Sequence, residues 1–148
     1  MTTYKNLEHD NVSIAVRLMR DFYAIDNYPI DVEKSANLLN QFIDEPNLGK
    51  AWLIENEAEI VGYVILTFIF NFEYGGKIAF VDELYLSETV RGKGIGKQTM
   101  DFVLSESKKL GLKLLYLEVE DHNANAQKLY LTSGFQFHNR LTMKYKLI

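Results

Sequence analysis

Six consecutive residues near position 94 have the composition of a phosphate-binding loop. Three glycines within five residues let the main chain come close to a ligand, because no Cβ atoms stand in the way. The apolar run Ile78–Leu86 before the loop predicts a strand, and the amphipathic run Lys97–Leu110 after it predicts a helix. The first turn of such a helix directs unpaired N–H groups and a partial positive charge at an anion. The six residues that predict a pyrophosphate site are Arg91, Gly92, Lys93, Gly94, Ile95 and Gly96, and Lys97 directly after them adds a third cation.

The spacing of these glycines separates two familiar phosphate loops. A P-loop has Ser or Thr after its Gly-Lys pair, whereas Gln98 follows Lys97, and Arg91 stands where its first glycine belongs. A dinucleotide-binding loop has a glycine at its sixth position, which is Lys97 here. Glu118 lies about where that second motif places a ribose-binding acid, so the dinucleotide loop is disfavoured but stays open. A glycine-rich surface turn with solvated lysines is the structural alternative.

Two adjacent acids, Asp82 and Glu83, interrupt the strand before the loop. Both faces of this strand are otherwise apolar, which predicts a central strand and leaves its acids to be explained. In a regular strand Asp82 and Glu83 point to opposite faces, but a bulge would shift them, so the acid that meets a ligand stays open. On the next predicted strand, Glu118 lies on the face opposite Leu117. For all three acids, a paired or solvated strand residue is the alternative.

Two blocks of sequence resemble the GNAT superfamily of acyl-CoA N-acyltransferases. The pattern Arg-x-x-Gly-x-Gly after a strand is similar to the acetyl-CoA pyrophosphate loop of these enzymes. The strand Asp82–Leu86 before it and a second block beyond it also resemble the family. The resemblance is specific from about Ile78 to Phe135, weaker from Lys50 to Gly76, and generic before that. The second block comprises Leu117-Glu118-Val119, Asn123-x-x-Ala126-x-x-Leu129-Tyr130 and Gly134-Phe135.

The resemblance implies a cofactor site and a direct reaction. Acetyl-CoA is the expected co-substrate, without a metal, and the backbone of Leu84, Tyr85 and Leu86 is expected to pair with its pantetheine arm. The loop Arg91–Lys97 is expected to bind the pyrophosphate, and Asn123 and Asn125 to contact CoA. An amine would attack the thioester within a ternary complex. Because the chain has no cysteine, a cysteine acyl-enzyme is impossible; a serine intermediate stays open.

Four side chains are candidates for the proton transfers. An alkyl amine arrives protonated, since its pKa is about 10.4, and must lose a proton before it attacks. A carboxylate can take that proton, usually through a water molecule, and Asp82, Glu83 and Glu118 are the candidates. The resemblance assigns Tyr130 to the departing thiolate, because a phenol donates a hydrogen bond while it stays neutral at pH 7. A core aromatic role is the alternative for Tyr130.

Composition and periodicity predict one compact domain. The 148 residues, the net charge of −4 and the absence of a long apolar run predict a single domain over 1–148. They give no sign of nucleic-acid or membrane binding, and the absence of cysteine favours the cytoplasm. Helices are predicted over Val12–Ala24, Val32–Ile43, Lys97–Leu110 and Asn123–Ser133. Asp31 is the predicted cap of the second helix, and Gly111 is predicted to end the third as a left-handed cap. Strands are predicted over Ala51–Ile54, Glu59–Phe70, Lys77–Leu86, Leu114–Glu120, Phe135–Phe137 and Thr142–Leu147.

These elements, with the resemblance, predict a mixed α/β GNAT fold. The expected architecture is a central, mostly antiparallel twisted sheet of six to seven strands flanked by about four helices. The expected function is N-acetyl transfer to a primary amine, either a small cationic amine or a peptide amine. The alternative is a catalytically silent acyl-CoA-binding module that acts as a sensor or partner domain. The sequence leaves a homodimer open.

Overall fold

The computed structural model describes all residues from Met1 to Ile148, which form two compact units, Met1–Glu118 and Val119–Ile148. The first unit contains the sheet and three helices. The second contains one helix and the C-terminal segment. No helix combines the length and the apolar character needed to cross a bilayer. The elements are β1 (Thr2–Asn6), α1 (Val12–Ile25), α2 (Val32–Asp44), β2 (Gly49–Asn56), β3 (Glu59–Asn71), β4 (Gly76–Leu86), α3 (Ile95–Lys109), β5 (Leu115–Tyr116) and, in the second unit, α4 (Ala124–Thr132).

The sheet is mixed, with the strand order β1-β2-β3-β4-β5. The first four strands run antiparallel to their neighbours, and β5 pairs with β4 in parallel. Because a parallel neighbour requires a crossover connection, the segment between β4 and β5 contains α3. The predicted mixed α/β class is confirmed, although the sheet has five strands rather than six to seven.

Helices cover both faces of the sheet. Apolar residues of α1 and α2 pack with Leu53, Tyr63, Ile65 and Tyr85, which therefore mark one face. The other face packs against the start of α3, where Ile95 contacts a cluster that includes Ile54 and the partly buried Leu84 and Leu86. On this second face, Phe102 of α3 stacks on Tyr4 with ring centroids 4.0 Å apart. The faces are called the α1 face and the α3 face below.

The predicted bounds of all four helices are confirmed to within a few residues. This agreement is expected because helix ends depend on local sequence. The side chain of Asp31 accepts a hydrogen bond from the Lys34 backbone N–H at 3.0 Å, so it caps α2 as predicted. At α1, Asn11 occupies the N-cap position but makes no side-chain cap hydrogen bond. Gly111 ends α3 with φ of 72°, in the left-handed region that favours glycine.

The strand predictions were wrong at both ends of the chain. β1 was not predicted, yet Tyr4 lies opposite Ile54 in a regular antiparallel ladder. The predicted strand Leu114–Glu120 shortens to β5, and Phe135–Phe137 and Thr142–Leu147 form no strand. A strand requires a backbone partner, which residue alternation alone does not supply. Phe135 instead donates its N–H to the Tyr130 carbonyl at 3.0 Å and so completes the C-terminal cap of α4.

Candidate active site

A β-bulge in β4 determines where the adjacent acids lie. Leu66 pairs with Val81, but the preceding residue of β3, Ile65, pairs with Glu83, so Asp82 is the extra residue. Glu83 therefore shares the α1 face with Ile65, and the alternation expected of a regular strand does not continue through Asp82. The two acids consequently have different surroundings.

The carboxylate of Glu83 is enclosed by two tyrosines from different elements. Tyr23, near the end of α1, donates its hydroxyl to Oε2 at 2.6 Å, and Tyr63 of β3 donates to Oε1 at 2.6 Å. Both distances are typical of O–H donors to an ionised acceptor. Burial raises the pKa of Glu83, the two tyrosine hydrogen bonds lower it, and the nearby charge of Asp82 raises it, with a net increase. Burial and the same contact raise the pKa of both phenols, which keeps them as donors.

The other two acids, Asp82 and Glu118, lie close enough for their charges to interact. Both side chains are exposed, but surrounding atoms still desolvate the Asp82 carboxyl and raise its pKa, and the charge of Glu118 raises it further. The bulged strand therefore presents one enclosed acid, Glu83, and one exposed acid beside another carboxylate. The structure brings the three predicted acids into one region of the first unit, in two distinct settings.

Beyond the bulge, one edge of β4 has no neighbouring strand. The pairing between β4 and β5 ends at Phe80 and Tyr116, whereas the pairing between β4 and β3 continues to Leu86. The edge of Leu84, Tyr85 and Leu86 that faces away from β3 is thus open to an extended ligand. A peptide-like group can pair with such an edge by strand addition.

The predicted pyrophosphate loop follows this open edge and ends at the first turn of α3. Gly92 and Gly94 have φ of 77° and 79°, and no heavy atom lies within 4 Å of a Cβ built on either residue. Left-handed backbone, rather than crowding, therefore explains both glycines. Gly94 is the N-cap of α3 and supplies no side-chain acceptor, so the first N–H groups of the helix, at Ile95 and Gly96, lack a cap and can bind an anion.

The three cations of this segment lie in different settings. Arg91 donates from Nε to the Leu86 carbonyl at 3.0 Å, and its guanidinium lies 5.7 Å from the centre of the Tyr85 ring. Lys97 forms an ion pair with Asp101 one turn later in α3, and Lys93 is exposed. Because Arg91 contacts the end of β4, it connects the loop to the open strand edge.

The other predicted site residues belong to the second unit. Asn123 accepts a hydrogen bond from the Ala126 backbone N–H at 3.0 Å and is the N-cap of α4, so its side chain already has a structural role. Asn125 is exposed on the first turn of α4. Tyr130 is partly buried, its ring centroid lies 5.9 Å from that of Phe135, and burial raises the pKa of its phenol.

The sequence of this chain is similar to those of known acetyltransferases. A model described as the acetyltransferase (GNAT) family matches residues 14–135, which include the loop, the acids and α4. The chain belongs to this family. The resemblance inferred from the loop and the second block is thereby confirmed, and this GNAT protein is an acyl-CoA-dependent N-acetyltransferase.

Relatives and solved structures agree with this family. An uncharacterized N-acetyltransferase in the pepI 3' region of Lactobacillus delbrueckii subsp. lactis is 26% identical over 133 residues, which are 83% of this chain and 75% of that protein. The uncharacterized N-acetyltransferase YycN of Bacillus subtilis is 34% identical over 100 residues, 68% of this chain and 63% of that protein. An integron cassette protein from the mobile metagenome of Cole Harbour Salt Marsh has a TM-score of 0.89 and 29% identity, covering 98% of this chain and 90% of that one.

Two residues of the site were not predicted from the sequence of this GNAT protein. Tyr23 lies in a helix 60 positions before Glu83, and Tyr63 lies 20 positions before it. Their aromatic side chains fit the helix and strand patterns as ordinary core residues. The packing of α1 on the sheet brings the Tyr23 hydroxyl to the carboxylate, and the register of β3 against β4 brings the Tyr63 hydroxyl to it.

Proposed function

We propose that this GNAT protein transfers an acetyl group from acetyl-CoA directly to a primary amine, with Glu83 as the general base. The observation that supports this role most strongly is the enclosed carboxylate one residue before the open edge of β4. A carboxylate whose pKa is raised accepts a proton more readily than an ordinary surface glutamate does. Asp82 and Glu118 are exposed, and we assign them to attracting the cationic amine rather than to proton transfer.

The residues present fit an acyl-CoA co-substrate. The open edge at Leu84, Tyr85 and Leu86 has the geometry for pairing with an amide-containing arm, and the uncapped start of α3 has the geometry for phosphate oxygens. Arg91 and Lys93 add positive charge there. When bound, acetyl-CoA supplies the thioester. We propose these contacts for Arg91–Lys97, and for Asn125 in the second unit.

The proposed reaction balances in one direct transfer. The protonated amine loses one proton to Glu83, its nitrogen bonds to the thioester carbon, and the C–S bond breaks. The second proton that the nitrogen releases balances the proton that the departing sulfur gains. A backbone N–H near Leu84 stabilises the oxyanion that forms on the carbonyl oxygen. Tyr130 donates to the departing sulfur, a role that suits a phenol whose pKa is raised and which therefore stays protonated.

The names of two relatives support a small amine as the acceptor. One is the aminoalkylphosphonate N-acetyltransferase of Salmonella typhimurium, and the other is the spermine/spermidine N(1)-acetyltransferase of Bacillus subtilis. The acids Asp82, Glu83 and Glu118 lie together in the first unit of this chain, and their charge favours a cationic amine over a neutral one. We therefore rank small cationic amines before peptide amines.

An activity panel tests this proposal. The purified protein is mixed with acetyl-CoA and with polyamines, aminoalkyl compounds or peptides, and the release of free thiol is followed. We expect turnover with at least one small cationic amine and a raised acetyl-CoA KM for Arg91→Ala. Tight CoA binding without turnover on any amine would instead support the silent acyl-CoA-binding module.

A further inference from the structure

The hydrogen bonds at Glu83 restrict both the orientation and the charge of its carboxylate. Each oxygen receives one tyrosine hydroxyl at 2.6 Å, Oε2 from Tyr23 and Oε1 from Tyr63. The donors come from α1 and β3, so the carboxylate is held from two directions. One lone pair on each oxygen remains for another partner. Neither tyrosine has a role in the reaction proposed above.

The direction of these bonds matters for the protonation of Glu83. Two neutral phenols donate most strongly when the carboxylate is ionised. In a protonated Glu83 the hydroxyl oxygen is a weaker acceptor and its hydrogen needs an acceptor of its own, so at least one of the two tyrosine hydrogen bonds would weaken. Both bonds therefore stabilise the ionised form against burial, which acts in the opposite sense.

The other groups around Glu83 do not replace this effect. On β4, the negative charge of Asp82 opposes ionisation of Glu83. Tyr85, also on β4, lies beside Tyr63, with ring centroids 6.1 Å apart. Among the groups that act on Glu83, α1 and β3 supply only the two phenols, and no lysine or arginine forms an ion pair with Glu83. The tyrosines are therefore the groups that favour its charged state.

We infer that Tyr23 and Tyr63 are positioning residues that hold Glu83 ionised and fix the direction in which its free lone pairs accept a proton. This inference rests on the proposed function, in which Glu83 is the base. It adds that the end of α1 is part of the catalytic apparatus through Tyr23, although Tyr23 itself need not touch the substrate. It also explains how an enclosed carboxylate keeps a charge that burial disfavours.

Single-atom substitutions test the inference. Tyr23→Phe and Tyr63→Phe each remove one hydroxyl and keep the ring. Tyr4→Phe is the matched control, because Tyr4 is also a partly buried tyrosine whose hydroxyl bonds another side chain, Thr99, at 3.3 Å. The Glu83 carboxyl is titrated by carbon-13 NMR, with its signal assigned by Glu83→Gln. The acid limb of kcat/KM is measured on the same variants.

We expect Tyr23→Phe and Tyr63→Phe each to raise the pKa of Glu83 by roughly one unit or more, because the free energy of a hydrogen bond to a charged group corresponds to a pKa shift of about that size. The acid limb of kcat/KM should move to higher pH by the same amount, and Tyr4→Phe should leave both unchanged. The Tyr63 side chain is buried, so Tyr63→Phe could prevent folding. In that case Tyr23→Phe is used for the test, because the Tyr23 side chain is partly exposed.

Three results would overturn the inference. The first is a folded Tyr23→Phe whose Glu83 titration matches the wild type. The second is an NMR shift without a shift of the acid limb, which would mean that the tyrosines do not act on catalysis. The third is an equal shift in Tyr4→Phe. If no amine is acetylated, the proposed function fails by its own assay. The NMR titration still decides whether the tyrosines hold Glu83 ionised.

Discussion

Replacing Glu83 with glutamine removes the proposed proton acceptor while it keeps the length of the side chain. One oxygen becomes an amide NH₂, so one of the two tyrosine hydroxyls that lie 2.6 Å away loses its acceptor. General base catalysis contributes about 10²–10⁴-fold, which corresponds to about 3–5 kcal/mol of barrier at 1.36 kcal/mol per tenfold. We therefore expect the kcat of Glu83→Gln to fall by about two to four orders of magnitude.

The pH dependence gives a second, independent readout of the same substitution. The base has to be ionised, so wild-type activity should fall as the pH drops through the pKa of Glu83. That limb should lie above the ordinary value for glutamic acid, because burial raises the pKa. Initial rates of thiol release at saturating acetyl-CoA, measured across pH, follow both effects. A Glu83→Gln enzyme with at least a third of the wild-type kcat and an unchanged acid limb would refute the reasoning. The control is Glu59→Gln, an exposed acid on β3.

Substitutions at three further positions test the fold. A Cβ at Gly62 would lie 2.1 Å from the Tyr85 carbonyl oxygen, so Gly62→Ala should destabilise the protein by about 1–3 kcal/mol in urea unfolding, and an unchanged midpoint would contradict the packing. Asp31→Ala removes the α2 cap and should cost about 1 kcal/mol by the same measurement, whereas Asp31→Asn should cost much less. Hydrogen bonds to Asn40 and then Asp44 raise the pKa of His9. Their stabilisation is present below the ordinary pKa of histidine and is lost as pH rises through the raised value, so the difference in unfolding free energy between wild type and His9→Gln should shrink as the pH rises above the ordinary pKa of histidine. A difference that stays constant with pH would contradict this role for His9.

Local sequence signals predicted the parts of the fold that depend on neighbouring residues. The cap at Asp31, the left-handed Gly111 and the apolar spacing of α1 and α3 each act within one or two helical turns. The glycine-rich loop and the helix after it were predictable for the same reason, because Gly94 and the start of α3 are adjacent in sequence. Such signals require no knowledge of which distant segment packs against them.

Features that depend on pairing between distant segments were not predictable. β1 exists because Tyr4 lies opposite Ile54, fifty residues away along the chain. The bulge at Asp82 appears only in the register of β4 against β3. The tyrosines that hold Glu83 come from elements whose hydrophobic patterns contain no sign of a carboxylate. In each case the deciding contact is long-range, and residue type alone fits several outcomes.

The bulge also determines how this strand tolerates the loss of a residue. A chain without Asp82 would join Val81 directly to Glu83 and would keep the glutamate opposite Ile65 in a regular strand. A chain without Glu83 would instead place Asp82 opposite Ile65, with a carboxylate one methylene shorter. Either single deletion therefore leaves an acid at the same position, on the same face, ahead of the open edge. Natural variants that have lost one residue here can retain a carboxylate in the site, and their activity would depend on whether the two tyrosines still reach it.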